Sequence, residues 1–139
     1  MAGKTAEFYA APDALPDFLV GPTILKQPGA FLRNMCDPPS DGQSIASARD
    51  FRSGMNPHQA SGVYNKAFCL LAKTAGWDPR KAFHVFQIAN RDYWTPSTNF
   101  QSGAEAVRDA AIAKGYPPGD VISAFAAVDI VVHAAADKN

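Results

Sequence analysis

The chain has 139 residues, with Lys plus Arg and Asp plus Glu balanced at 13 each. That is enough for one domain with a buried core, and it carries no basic footprint for nucleic acid or an acidic membrane. The hydrophobic fraction of 47% is that of an ordinary soluble globule. No stretch is apolar enough to span a bilayer, and the N-terminal MAGKTAEFYAAPDALPDF lacks the apolar centre of a secretory signal, so the sequence as written reads as cytoplasmic.

In chain order, residues 3–11, GKTAEFYAA, form one helix ended by Pro12. From Pro12 to about Gly54, proline and glycine interrupt the chain repeatedly, which reads as loops and short strands. Phe18–Val20 and Thr23–Leu25 are the strand candidates. After Pro57 the apolar residues recur with helical period. Ser61 caps a helix carrying Val63, Tyr64, Ala67, Phe68, Leu70 and Leu71, which ends near Gly76. Asp78-Pro79 starts the next, with a carboxylate at the N-cap and proline at the first helical position. It buries Phe83, Phe86, Ala89, Asn90 and Tyr93 and stops before Pro96. A third helix runs from about Thr98 to Lys114, and a fourth starts at Pro118-Gly119. The expected fold is mainly α: a loop-rich segment over 1–57 with one N-terminal helix, a helical bundle over 58–132, and a frayed tail over 133–139.

Cys36 and Cys69 show no metal-ligand spacing. Cys69, inside AFCLLA, reads as a buried free thiol. His84, in KAFHVFQ, reads as a packing or surface residue, and His133 belongs to the tail.

The run H-x-x-SGVYNKAF, then GWD-x-RKAF-x-VF-x-x-AN, YWT-x-x-x-x-F and DV-x-x-AF-x-x-V resembles the C-terminal helical domain of thermolysin-type zinc metallopeptidases, in the vibriolysin and pseudolysin branch. MAGKTAEFY, PDFLVG and FLRNMCDPPSDG-x-SI match the same family in the same order, so the resemblance covers residues 1 to about 131. It implies a thermolysin C-terminal-lobe-like bundle of about five helices. The family's enzymes use zinc and calcium. Their N-terminal lobe and central helix hold zinc through His-Glu-x-x-His and a downstream glutamate, and the C-terminal lobe forms the other cleft wall. This chain has no His-Glu-x-x-His, and its three histidines, His58, His84 and His133, make no such pair. Met1 matches a methionine that the family often carries internally, so an internal codon and a true start both stay open. A fragment of a full-length family member would be secreted.

By motif, His58 is similar to the histidine that donates to the developing oxyanion; the alternative is a surface histidine beside a loop. Asn56 stands where the family has an aspartate that holds the ring, and an amide cannot stabilise imidazolium as a carboxylate does. Arg33 is similar to the arginine that binds the substrate carbonyl with its planar fork; the alternative is an ion pair with Asp37 or Asp41. Leu32, Val20 and Ile24 resemble the apolar lining of a side-chain pocket, or are plain core. Glu7, Asp17 and the Leu19 carbonyl fall where the family binds calcium, but Lys4 replaces a ligand carboxylate, which predicts weak or no calcium binding. The branch's disulfide between its last helices maps to Glu105 and Val132 and is absent. With no signal and Cys69 free, that fits a reducing compartment and equally fits relaxed selection on a fragment.

The implied function is an isolated substrate-cleft lobe, inactive alone because the zinc site is absent. The alternatives are a module that binds a peptide or partner, or half of a split enzyme active only with a separate N-terminal lobe. A third reading, an unrelated helical scaffold, would bury His58. Loss of the covering lobe predicts an exposed apolar face and self-association into a homo-oligomer.

Overall fold

A computed structural model describes residues 1–14 and 16–135. The helices are α1 (Ala2–Ala10), α2 (Pro57–Ala60), α3 (Gly62–Lys73), α4 (Pro79–Ile88), α5 (Phe100–Ala113) and α6 (Pro118–Ala126). A π-helical turn, Ala89–Tyr93, extends α4, and 3₁₀ turns occupy Pro38–Asp41 and Ala48–Asp50. Among the described residues, β1 (Leu19–Val20) and β2 (Arg33–Asn34) form a two-stranded antiparallel pair, with Leu19 opposite Asn34 and Val20 opposite Arg33. No helix among the described residues is long and apolar enough to cross a membrane.

The mainly α expectation holds, and local chemistry explains most boundaries. Asp78 accepts a hydrogen bond from the Lys81 amide at 2.7 Å, with Pro79 behind it, and so fixes the start of α4. Asn99 and Ser102 form a reciprocal capping box at the start of α5. The core is centred on α3, where Val63, Ala67, Phe68 and Leu71 are fully enclosed and meet Val85, Phe86, Val107, Val121 and Phe125 from α4, α5 and α6. Burying side chains of this size contributes about 1.5–3 kcal/mol each.

Five sequence expectations require correction. Cys69 is not a free thiol: it forms a disulfide with Cys36, Cα–Cα 5.3 Å, across 33 residues. This removes the free-thiol argument for a reducing compartment, since persistent disulfides belong to oxidising ones. Thr23–Leu25 is a turn, because the partner that β1 needs is supplied by Arg33–Asn34. Asn90 and Tyr93 are exposed: Asn90 shares with Phe83 and Phe86 a face that opens to solvent. Ser61 occupies the N-cap position of α3 but makes no capping hydrogen bond; its hydroxyl donates to the His58 carbonyl at 2.9 Å, while Asn56 caps the short α2 before it. Val20, Ile24 and Leu32 are not plain core: they are 37%, 70% and 43% exposed.

The tail is fixed as far as it is described. Val132 is buried, and Arg108 donates to the His133 carbonyl at 2.5 Å. Residues 136–139 lie outside the described residues, so the expectation of a frayed end there is not addressed.

Candidate functional site

The loop-rich half forms a small platform, and Phe18 sets its geometry. Its backbone is left-handed, φ 56°, and its ring is buried edge-on against Phe68 with centroids 6.3 Å apart. A bulky residue occupies that region only where packing compensates. The Phe18 carbonyl accepts from the Met35 amide at 3.0 Å, and the Val20 carbonyl accepts from the Leu32 amide at 2.8 Å. Val20 and Arg33 are cross-strand partners and so share one face. Gly21 has φ 74°, and a Cβ there would lie 3.0 Å from Leu32 Cδ1 and 3.3 Å from Ile24 Cδ1. Only glycine lets those two side chains close over the turn. The structure thereby closes Ile24 and Leu32 together over the Gly21 turn, both solvent-facing, while exposed Val20 sits opposite Arg33 on the strand pair.

Arg33 donates to its neighbour's carbonyl, Leu32 O, at 2.6 Å, and its Nε lies 3.5 Å from Asp41 Oδ2. Of the two ion-pair partners that the sequence allowed, Asp41 is the one in place. Burial alone would raise the Asp41 pKa. Hydrogen bonds from the Ser44 hydroxyl and the Ser44 and Gln43 amides, with the Arg33 charge, outweigh it and hold this carboxyl below its ordinary value. The strand carrying Arg33 is anchored from behind by buried Met35 and by the Cys36–Cys69 bridge to α3.

His58 lies in the first turn of α2, exposed, one residue after Pro57. Asn56 Oδ1 accepts from the His58 backbone amide at 2.9 Å, so the amide oxygen holds the turn and not the ring. Among the described residues the imidazole makes no hydrogen bond. The Asp41–Ile45 loop connects the two candidate residues. Asp41 meets Arg33, while the Ile45 amide donates to the Gln59 carbonyl at 3.2 Å, beside His58. Gly62, at the start of α3, makes this approach possible: a Cβ there would overlap the Ile45 carbonyl oxygen.

A second feature was expected from the sequence only as an exposed apolar face, without a position. An open apolar groove of about 1340 Å³ runs between α2–α3 and the α4–α5 connection, floored by Tyr64, Phe83, Phe86, Trp94 and Phe100. Tyr64 organises it. Its hydroxyl donates to the Phe100 carbonyl at 2.8 Å, its ring meets Phe86, Trp94, Phe100 and Phe125, and burial pushes its phenol pKa well up. Pro57 reaches the groove wall, whereas His58 and Arg33 do not line it. The available signal was the pair Asn65 and Asn90, polar residues beside apolar helix faces, which both line the groove.

Neither metal fits the residues present. Among the described residues no group of three or more His, Cys, Asp or Glu is placed to hold an ion, and His58 and His84 are separately exposed on α2 and α4. At the expected calcium position, Glu7 and Asp17 instead hold the Lys4 ammonium, at 2.5 and 2.8 Å.

The family described as "Thermolysin metallopeptidase, alpha-helical domain" matches residues 1–130. The chain belongs to this family. It is 45% identical over 130 residues to the neutral protease of Vibrio proteolyticus, covering 94% of this chain and 21% of that protein. The hemagglutinin/proteinase of Vibrio cholerae is 42% identical over 130 residues, with 94% and 21% covered. The zinc metalloprotease of Helicobacter pylori is 42% identical over 130 residues, with 94% and 49% covered. The chain thus spans half or less of the length of these relatives. The match excludes an unrelated helical scaffold and identifies the platform and bundle together as the α-helical domain of a thermolysin-type metallopeptidase.

Proposed function

We propose that this chain forms the substrate-side wall of a thermolysin-like metalloendopeptidase cleft and that these 139 residues are not catalytic alone. The observation that carries the reading is the set of exposed apolar side chains on the platform, Val20 opposite Arg33 on the strand pair and Ile24 with Leu32 over the adjoining turn, with Arg33 held by Asp41. This set accepts an apolar side chain of an extended peptide. Arg33, with its remaining N–H groups free to face solvent, donates to the peptide carbonyl. His58, its backbone held by the Asn56 cap, presents a ring N–H to a developing oxyanion. Such a donor is worth about 3–4 kcal/mol in a complete, water-poor site. Among the described residues no His, Cys, Asp or Glu cluster is placed to hold the metal, so the metal and its water would come from another lobe.

The groove favours one of the alternatives, the split enzyme. An open apolar surface of this size calls for a covering partner, and a zinc-binding N-terminal lobe docked there would lie next to Pro57 and His58. The test is hydrolysis of casein and of a dipeptide amide with and without zinc, repeated after mixing with the separately produced N-terminal lobe of the Vibrio proteolyticus relative. The reading expects no cleavage by the chain alone and zinc-dependent cleavage by the mixture. Cleavage by the chain alone would overturn it.

A further inference from the structure

Lysine is among the residues least often buried, yet Lys4 is only 3% exposed. Its ammonium donates to Glu7 Oε2 at 2.5 Å, one turn along α1, and to Asp17 Oδ1 at 2.8 Å, in the segment that enters β1. Asp17 Oδ1 also accepts from the Leu19 amide at 2.9 Å. Two carboxylates from separate segments therefore close on one positive charge. Hard oxygen donors in such a set suit a divalent cation, but the cation present is the chain's own side chain.

We propose that Lys4 is a built-in cation: its ammonium clamps α1 to the Asp17–Leu19 segment in place of a bound divalent metal, and so makes this corner of the fold metal-independent. The clamp has a structural consequence. The segment it holds carries Phe18 into the core and Val20 to its place opposite Arg33, so Lys4 helps secure the platform. An ammonium between the carboxylates also occupies the place a dication would need and repels it as a like charge. The inference stands on the Lys4 contacts and is independent of the cleft-wall reading.

The test compares thermal unfolding in EDTA and in about 5 mM calcium, a concentration that saturates ordinary extracellular sites. The wild-type melting temperature is expected to be the same in both. Lys4→Met should melt about 3–6 °C lower in EDTA than wild type. Lys4→Glu, with a third carboxylate, should be destabilised in EDTA and regain several degrees with calcium. A calcium-dependent rise in the wild type, a Lys4→Met variant as stable as wild type, or a Lys4→Glu variant without a calcium response would each overturn the proposal. Calorimetric titration of calcium into the wild-type chain needs no variant. It should show no saturable binding, and a dissociation constant below about 1 mM would overturn the proposal.

Discussion

Asp41 carries more than its surface position suggests. Its side chain is 3% exposed, accepts three hydrogen bonds from Gln43 and Ser44, and faces Arg33. Its pKa in the folded chain lies below that of the unfolded chain. Its contribution to stability is therefore complete above the unfolded value, about 3.9, and is lost as the pH falls through the folded one. Urea unfolding of the wild type should show falling stability below about pH 4, and Asp41→Asn should flatten that acid limb while costing about 1–2 kcal/mol at neutral pH. Asp17 follows the same sign through Lys4, with a smaller share because it is half exposed and screened. His58→Ala is the contrasting case. Its ring is exposed and has no partner among the described residues, so unfolding should change by less than about 0.5 kcal/mol. A residue with little part in stability and a fixed backbone is free to serve a ligand. The roles suggested for Arg33 and His58 were legible only through motif likeness, since nothing in their spacing shows that the Asp41–Ile45 loop joins them.

The helices were readable where capping chemistry is local. Asp78-Pro79 marks the start of α4 within one sequence window, whereas α5, read as starting near Thr98, begins at an Asn99–Ser102 box that the sequence reading did not use. What depends on distant residues was not readable. The disulfide joins Cys36 and Cys69 across 33 irregular and helical residues, and β2 is only two residues long. The left-handed Phe18 contradicts its own local preference because the core holds its ring. Two predictions belong at this scale. Replacing Cys36 and Cys69 by serine and alanine should cost about 3–4 kcal/mol in the chain-entropy picture for a loop of this length, read by urea unfolding against the oxidised wild type. Gly62→Ala should cost about 2 kcal/mol or more, because α3 must move away from the Ile45 carbonyl. Amide exchange in the 41–45 loop should rise in that variant before exchange in α5 does.

At the scale of the molecule, the fold presents two exposed surfaces. One is the polar and apolar platform with Arg33; the other is the groove floored by five aromatic side chains. The mainly α class followed from helical periodicity after Pro57, but the groove did not, because periodicity says which residues leave water and not which helix covers them. An uncovered groove of this kind should drive reversible self-association, visible in sedimentation velocity as a mean mass that rises with concentration. Tyr64→Ala, which removes the groove's central ring and its hydrogen bond to Phe100, should lower stability by about 3–5 kcal/mol. The central claim is that this chain supplies a cleft wall and leaves the metal to another lobe. Its most direct test is metal analysis of the purified chain after zinc loading and gel filtration, read alongside hydrolysis of a peptide amide. The account predicts no stoichiometric zinc and no zinc-dependent turnover; one tightly held zinc per chain, with cleavage that chelation abolishes, would contradict it.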